Sequence, residues 1–327
     1  MPARPSLLRR VVARLVGDEL GVVISLVLMV AVVGFFNPDF LLVDNLVETA
    51  RQSCYVGIMA LGMVFALSMR EVDLSVGGTY ALTIVFSAVL MRDGWNPWAA
   101  AAAGLVVSGL CGLGTGLFVT YTRVPSFIAT LGTMSVYRGL ALAISDGRQV
   151  GGVPVDSSFV QVLGGDILGI PAALWVLVLL ATALTFVFTR TRFGGQVRAI
   201  GSNPEAAAFS GIRHDRVRIK VLVVTGLCAG VAGVLTTAFF ASGDPTVGAG
   251  YELLAIAACI IGGTPLRGGS GSIPGAALGA LILSVVAAAL VFFGVPINWT
   301  TFATGVVILL AVAVDAFLRR IRGAPPG

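Results

Sequence analysis

Long runs without a charged side chain alternate with short polar segments along the chain. A helix of about 20 apolar residues spans the hydrocarbon core of a bilayer, and several of these runs reach or exceed that length. The pattern therefore predicts an all-α polytopic membrane protein. The longest runs are Leu20–Phe36, Gln52–Met69, Leu74–Met91, Gly94–Thr122, Ile167–Thr189, Val221–Gly243 and Gly268–Val314.

About ten membrane-spanning helices account for these runs, and some of them are short or broken. One break lies at about 70–78, where charges and paired glycines separate two apolar runs, and another at about 252–272. Non-helical backbone at membrane depth is tolerated only where it is buried or lines a cavity, so both breaks indicate a transport pathway. The predicted spans are 20–36, 53–69, 74–91, 96–120, 126–144, 170–189, 219–241, 252–264, 272–293 and 297–318.

The charged residues indicate the side of the membrane on which each loop lies. Only 11% of the residues are charged, against about 25% in a soluble globular chain, and the formal net charge is +5. Basic residues cluster at both ends and in the loop at about 190–218, whereas the alternate loops carry three basic and nine acidic residues. Basic loops stay cytoplasmic, so we expect a cell-membrane domain at 20–318 between two cytoplasmic tails, 1–19 and 319–327.

The composition excludes several classes of function. The chain has one histidine, His214, and one lysine, Lys220, so it forms neither a zinc site built on several histidines nor a Gly-Lys-Ser/Thr phosphate loop. The four cysteines lie far apart in apolar runs, as small hydrophobic residues do. The basic residues follow the membrane pattern and not that of a nucleic-acid surface. We therefore expect no metal, no other cofactor, no nucleic acid and no enzymatic activity.

The basic loop contains a short predicted helix with both ends marked. Ser202 or Asn203 supplies an N-cap oxygen, Pro204 suits the first turn, and Glu205 favours the positive end of the helix dipole. Gly211 is a natural C-terminal stop. So short and well capped an element indicates a docking helix that transmits the motion of a partner, rather than an ordinary solvated connector.

Four motifs follow one another in order over roughly 200 residues: Glu71–Gly78; Val124–Thr133 with Tyr137–Leu140; Ala199–Ala207 with Ser210–Ile212; and Gly250–Ala257 with Gly262–Thr264 and Gly268–Gly271. Together they resemble the permease subunits of ATP-binding-cassette importers for simple sugars, the ribose, xylose, rhamnose and autoinducer-2 group. Two departures are Arg70-Glu71, where a glycine is expected, and Ala208-Phe209, where many members carry a basic and an aliphatic residue.

The resemblance implies the fold, the partners and the docking residues. It implies the helical bundle of a type II importer, in which two identical or different permeases form the channel. A separate ATPase subunit hydrolyses ATP below the membrane, and an extracytoplasmic sugar-binding protein delivers the sugar from above. The residues it assigns to coupling with the ATPase are Asn203, Pro204, Glu205, Ala206, Ala207, Ser210 and Gly211.

Candidate pathway residues are polar groups in or beside the predicted spans. Asp73 with Ser75 can bind a sugar hydroxyl, but Asp-x-Ser before an apolar run is equally suited to capping a helix. Ser126 and Thr130 either line the path or bond their own helix backbone. Glu252, at a predicted outer mouth, can bond the binding protein or cap the next helix.

Other transporter classes remain as alternatives. A permease for branched-chain amino acids or nucleosides has the same general architecture, and the Asp-Leu-Ser-Val-Gly segment favours a sugar. An ion-coupled secondary transporter would need ionisable groups inside the membrane, and Asp73 and Arg138 are nearly all that the chain offers.

Overall fold

Helices make up nearly all of the computed structural model, which describes residues 19–296 and, beyond them, Trp299, Phe302, Gly305, Val306 and Leu309. A 3₁₀ turn at Pro38–Leu41 and a π-helical turn at Val160–Gly164 lie between longer elements. The α-helices of this part are α1 (Glu19–Phe36), α2 (Val43–Ser68), α3 (Ser75–Arg92), α4 (Pro97–Thr122), α5 (Ser126–Ile144), α6 (Ala172–Arg190), α7 (Arg192–Ser202), α8 (Pro204–Phe209), α9 (His214–Phe240), α10 (Tyr251–Ile261) and α11 (Ile273–Phe292).

Seven helices in the described part are long and apolar enough to cross a membrane, namely α2, α3, α4, α5, α6, α9 and α11. The apolar stretch Leu20–Phe36 of α1 and the apolar helix α10 are shorter. The predicted all-α polytopic fold is thereby confirmed. The predicted tenth span, 297–318, apart from five isolated positions, lies outside the described residues, as do the C-terminal tail and all but Glu19 of the N-terminal tail.

The second predicted span begins too late. The predicted spans leave Asp44, Glu48 and Arg51 in a loop, but these residues lie in the first turns of α2, so the helix begins at Val43 and not near 53. Arg51 donates to Glu48 at 3.1 Å and to Asp166 at 2.8 Å, and these ion pairs satisfy the charges at the end of the bundle. Asp166 belongs to a small antiparallel hairpin that we had not expected, with strands β1 (Asp166–Ile167) and β2 (Ile170–Pro171).

The centre of the bundle is α2. Every residue from Ser53 to Ser68 is buried, which explains a run that is apolar on all faces instead of on one stripe. Helix α2 packs against α9 and α11, and α9 crosses α4. At that crossing a Cβ on Gly112 would lie 2.3 Å from the carbonyl oxygen of Leu222, so only glycine allows the two backbones to approach so closely.

The connections between helices lie at two opposite ends of the bundle. Successive connections alternate between these ends, as they must if each predicted span crosses the membrane once. At one end, called here the α8 end, the chain between α2 and α3 meets α7 and the loop before α11: Arg70 Nε donates to the Gly201 carbonyl at 2.6 Å, and Gly269 N to the Ser68 carbonyl at 2.8 Å. At the opposite end, Val150 N donates to the Gly243 carbonyl at 2.7 Å. Bonds between distant connections therefore close both ends.

Candidate functional site

The short helix α8 forms as its sequence predicts. The Asn203 side-chain oxygen accepts a hydrogen bond from Ala206 N at 3.0 Å, Pro204 opens the helix, and Glu205 lies in its first turn. Of the two N-cap candidates, Asn203 is the cap, because Ser202 is the last residue of α7. Gly211 has a φ of +79°, a conformation that L side chains rarely adopt, and it turns the chain toward α9.

Almost the whole of α8 is exposed. Ala207 is its buried residue, and it fixes the helix to the core. Phe209 projects from the other side with 93% of its surface exposed. A large aromatic side chain held out on a rigid, polar-flanked helix is typical of a surface that a partner protein covers. Sequence reasoning noticed Phe209 only as a departure from the family pattern.

Helix α7 ties α8 to the core, and the sequence analysis had predicted only the short helix α8 in this basic loop. Thr191 caps α7 by accepting from Gly194 N at 3.3 Å, and Val197 and Ile200 are buried. Apolar side chains on one face of a polar helix give the amphipathic pattern of a helix lying on a core. The signal was present in the spacing of Phe193, Val197 and Ile200.

The residues 69–74, called here the α2–α3 linker, leave α2 through a left-handed turn at Arg70, with a φ of +64°. The Arg70 guanidinium donates from Nε to the carbonyl of Gly201 at 2.6 Å and from Nη2 to the carbonyl of Ser202 at 3.1 Å. These are the last two residues of α7, directly before α8. The linker is therefore bonded to the base of the short helix.

Glu71 joins the linker to the start of α9. Its carboxylate accepts from Arg218 Nη2 at 2.6 Å and lies 3.6 Å from His214 Nε2. Burial alone would raise the pKa of Glu71, but hydrogen bonds from His214, Ser126 and Arg218, with the charge of Arg218, hold that pKa below its ordinary value. The group borders a cavity of about 760 Å³ that opens at the α8 end, where Arg70 and Arg123 also line it.

Asp73 is fully buried at the start of α3. One carboxylate oxygen accepts from Ser75 N at 2.9 Å and Ser75 Oγ at 2.5 Å, and the other accepts from Thr225 Oγ1. Helix α9 begins at His214, and at the usual helical rise Thr225 lies about 16 Å further along it. Because Asp73 bonds Thr225, the non-helical backbone of the linker extends into the bundle. Both oxygens are engaged within this chain, a geometry that favours capping over contact with a solute.

Ser126 and Thr130 hold the linker to α5. Val72 N donates to Ser126 Oγ at 3.5 Å, and Thr130 Oγ1 donates to the Val72 carbonyl at 3.2 Å and to its own helix at the Phe127 carbonyl at 3.3 Å. Asp73, Ser75, Ser126 and Thr130 are thus brought together around one extended segment, and Thr130 is buried there.

Glu252 lies apart from that group. We expected it at an open outer mouth, but it is only 7% exposed, in the first turn of α10 against α3. A Cβ on Gly77 would lie 2.2 Å from its Oε2. Among the described residues, Oε2 has no hydrogen-bond partner, and a buried polar atom in that state costs about 1–3 kcal/mol. Glu252 is therefore buried beside α3 with one carboxylate oxygen unpaired among the described residues.

The described residues contain no group of three or more His, Cys, Asp or Glu side chains suited to a metal ion. A family model described as "Branched-chain amino acid transport system / permease component" matches residues 45–312. No solved structure matches the chain.

Several curated proteins match nearly end to end. A ribose import permease protein of Haemophilus influenzae is 34% identical over 90% of this chain and 92% of its own length. One of Bacillus subtilis is 37% identical over 91% and 92%, and a D-allose transport system permease protein of Escherichia coli is 35% identical over 93% of each. The family resemblance predicted from the four motifs is confirmed: the chain belongs to the permease components of ATP-binding-cassette importers, as a membrane transport subunit and not an enzyme.

Proposed function

We propose that this chain forms the membrane pathway of an ATP-driven importer for a monosaccharide, with ATP hydrolysed by a separate subunit. The observation that carries the proposal is the near full-length match to ribose and allose permeases, both of which are named for a simple sugar. The exposed, internally capped helix α8 supplies what such a subunit needs, a rigid surface through which another protein can move it.

The orientation that we propose places the α8 end in the cytoplasm, with the tails 1–19 and 319–327 on the same side and the permease domain at 20–318. The charges support it. Seven basic residues lie between 190 and 220 around α7, α8 and the start of α9, whereas the connections at the opposite end are mainly acidic. Basic segments resist translocation, so the α8 end stays inside.

The ATPase subunit docks on α8 in this proposal. The contact residues are Asn203, Pro204, Glu205, Ala206, Ser210 and Gly211, with Phe209 as the apolar anchor, while Ala207, which the family resemblance also assigned to coupling, is buried and holds the helix to the core. Closure of the ATPase pair around ATP pushes α8 and biases the bundle between states open to either side. ATP and the sugar-loaded binding protein must each favour one state for this coupling to work.

A second permease covers α5 in the assembled importer, and an extracytoplasmic sugar-binding protein docks at the opposite end. Support for the first contact comes from the exposed face of α5, where Gly132, Ser135 and Gly139 lie three and four residues apart. A Cβ on either glycine would meet nothing within 4 Å. Small residues at this spacing let a second helix approach closely in lipid.

The pathway residues divide into two groups in this proposal. Asp73, Ser75, Ser126 and Thr130 shape the linker that narrows the path at the α8 end. Glu252 offers Oε2, which has no hydrogen-bond partner among the described residues, to the solute deeper in the bundle, since a carboxylate is a strong acceptor for sugar hydroxyls. The pathway then runs between α3, α5 and α10.

Substitution of Phe209 tests ATPase docking. Phe209→Ala removes the anchor, and loss of a central aromatic contact costs about 2 kcal/mol or more, so the affinity of the ATPase subunit should fall roughly 30-fold. Phe186→Ala is the matched control, because Phe186 is 63% exposed on the membrane helix α6, away from α8. Binding is measured by titrating purified ATPase onto the detergent-solubilised permease. Equal affinities for both variants would contradict the docking role.

Solute competition tests the substrate class. Uptake by the complete reconstituted importer should be inhibited by a pentose or hexose and not by leucine or valine. The family description, which names branched-chain amino acids, favours those as the second candidate. Inhibition by leucine alone would establish the second candidate in place of the first.

A further inference from the structure

The α2–α3 linker touches a different part of the protein at each of four successive residues. Arg70 bonds the end of α7, and Glu71 bonds the start of α9. Val72 is held to α5 by Ser126 and Thr130. Asp73 reaches the middle of α9 at Thr225. A short segment therefore joins the base of α8 to two membrane helices.

The contact of Arg70 with α7 has the geometry of a clamp. The last carbonyls of a helix have no partner within the helix, and they form the negative end of its dipole. The Arg70 guanidinium donates to two of them, at 2.6 and 3.1 Å. The backbone reinforces the contact, because a Cβ on Gly201 would lie 1.7 Å from the Ser68 carbonyl oxygen. The end of α7 and the start of the linker therefore cannot slide past each other without breaking these bonds.

A push on α8 reaches this clamp directly, in addition to the route through Gly211 into α9. Only Asn203 separates α8 from α7, and its side chain is committed to capping α8. Displacement of α8 therefore also displaces Ser202 and Gly201. Arg70 is the side chain bonded to both, and its neighbour Glu71 is anchored to Arg218.

We propose that Arg70 is a positioning residue that passes the displacement of α8 to the α2–α3 linker, and through the linker to α5 and Asp73. The inference rests on the proposed function of the chain as an ATP-driven permease. Arg70 contacts no solute in this role. It makes the position of the linker depend on the position of α8, and such a dependence between two sites is what coupling requires.

The test measures solute molecules imported per ATP hydrolysed in the complete importer, reconstituted with its ATPase and binding protein in liposomes. In Arg70→Ala we expect hydrolysis to continue while this ratio falls roughly fivefold or more, the usual lower range of allosteric coupling. A purely structural residue would lower uptake and hydrolysis together and leave the ratio unchanged. The matched control is Arg267→Ala, an exposed arginine at the same end with no hydrogen bond or ion pair to the described residues. Its ratio should equal that of the wild type.

Arg70→Lys keeps the positive charge but loses the planar guanidinium that donates to both the Gly201 and the Ser202 carbonyl. It is the test variant if the permease that carries Arg70→Ala does not assemble with its partners. An intermediate ratio in the lysine variant supports the inference. An unchanged ratio in the assembled variants overturns it, and so does failure of both variants to assemble, because Arg70 is then a folding residue. Absence of ATP-driven uptake by the wild-type importer would instead overturn the proposed function itself, and the inference with it.

Discussion

Gly77 and Glu252 show how closely a single residue is constrained inside this bundle. Because a Cβ at position 77 would overlap the Glu252 carboxylate, Gly77→Ala should destabilise the protein by about 1–3 kcal/mol through overpacking. Gly195→Ala is the matched control, since it also lies within a helix but its added methyl group meets nothing within 4 Å. Thermal unfolding in detergent measures both. Recovery of stability in the double variant Gly77→Ala with Glu252→Ala would identify the carboxylate as the obstacle.

Glu71 gives the stability of the α8 end a defined pH dependence. Its pKa is lowered in the folded protein, so its contribution is complete above the pKa of an unfolded-chain glutamate and is lost as the pH falls through the folded value. Wild type should therefore lose its stability advantage over Glu71→Gln on acidification. The midpoint of thermal unfolding, followed from neutral pH downward, measures the difference. A difference that stays constant with pH would show that the carboxylate charge contributes nothing.

Residue-scale features were predictable from the sequence only where they are local. The cap of α8 depends on Asn203 and Ala206, three residues apart, and the sequence limited it to two candidates. The partner of Glu71 lies 147 positions away at Arg218, and no spacing rule reaches that far. The clamp at Arg70 was visible only as a departure from the family pattern.

Helix α8 is stabilised at the scale of the element by its own N-cap. Asn203→Ala removes the bond to Ala206 N and should destabilise the helix by about 1 kcal/mol, which lowers the stimulation of ATP hydrolysis by loaded binding protein. Asn203→Asp keeps an accepting oxygen and is the control. ATPase assays on reconstituted importer compare the two. If the alanine variant is stimulated as fully as the aspartate variant, a folded α8 is not needed for coupling.

The ends of a helix were predicted correctly where an apolar run stops at a proline or a polar residue. They were predicted wrongly where the helix continues through charged residues beyond the apolar run. Helix α5 begins after Pro125 and ends before Ser145, and the sequence placed both ends correctly. The first turns of α2 carry ion-paired charges, and a charge-free window could not include them. Helix α7 was not predicted for a similar reason. It is a short helix with charged residues on the surface of the core, and a search for long charge-free runs does not find it.

The orientation of the whole molecule is testable because its native thiols are hidden. All four cysteines are buried, so background labelling by a membrane-impermeant thiol reagent should be low. Ser210→Cys, beside α8, should react only in inside-out vesicles, and the exposed Asp156→Cys, at the opposite end, only in intact cells. The reversed pattern would place α8 outside and contradict the proposed docking of an ATPase there.

Exposure of Phe209 has a consequence for how the subunits are produced. In the proposed assembly the ATPase shields this ring, but a permease made in excess would present it to water on a rigid support. Chaperones and membrane proteases select exposed apolar side chains of this kind, so surplus copies become targets for degradation. The proposed docking on this six-residue helix therefore implies that the two subunits must be made in balanced amounts.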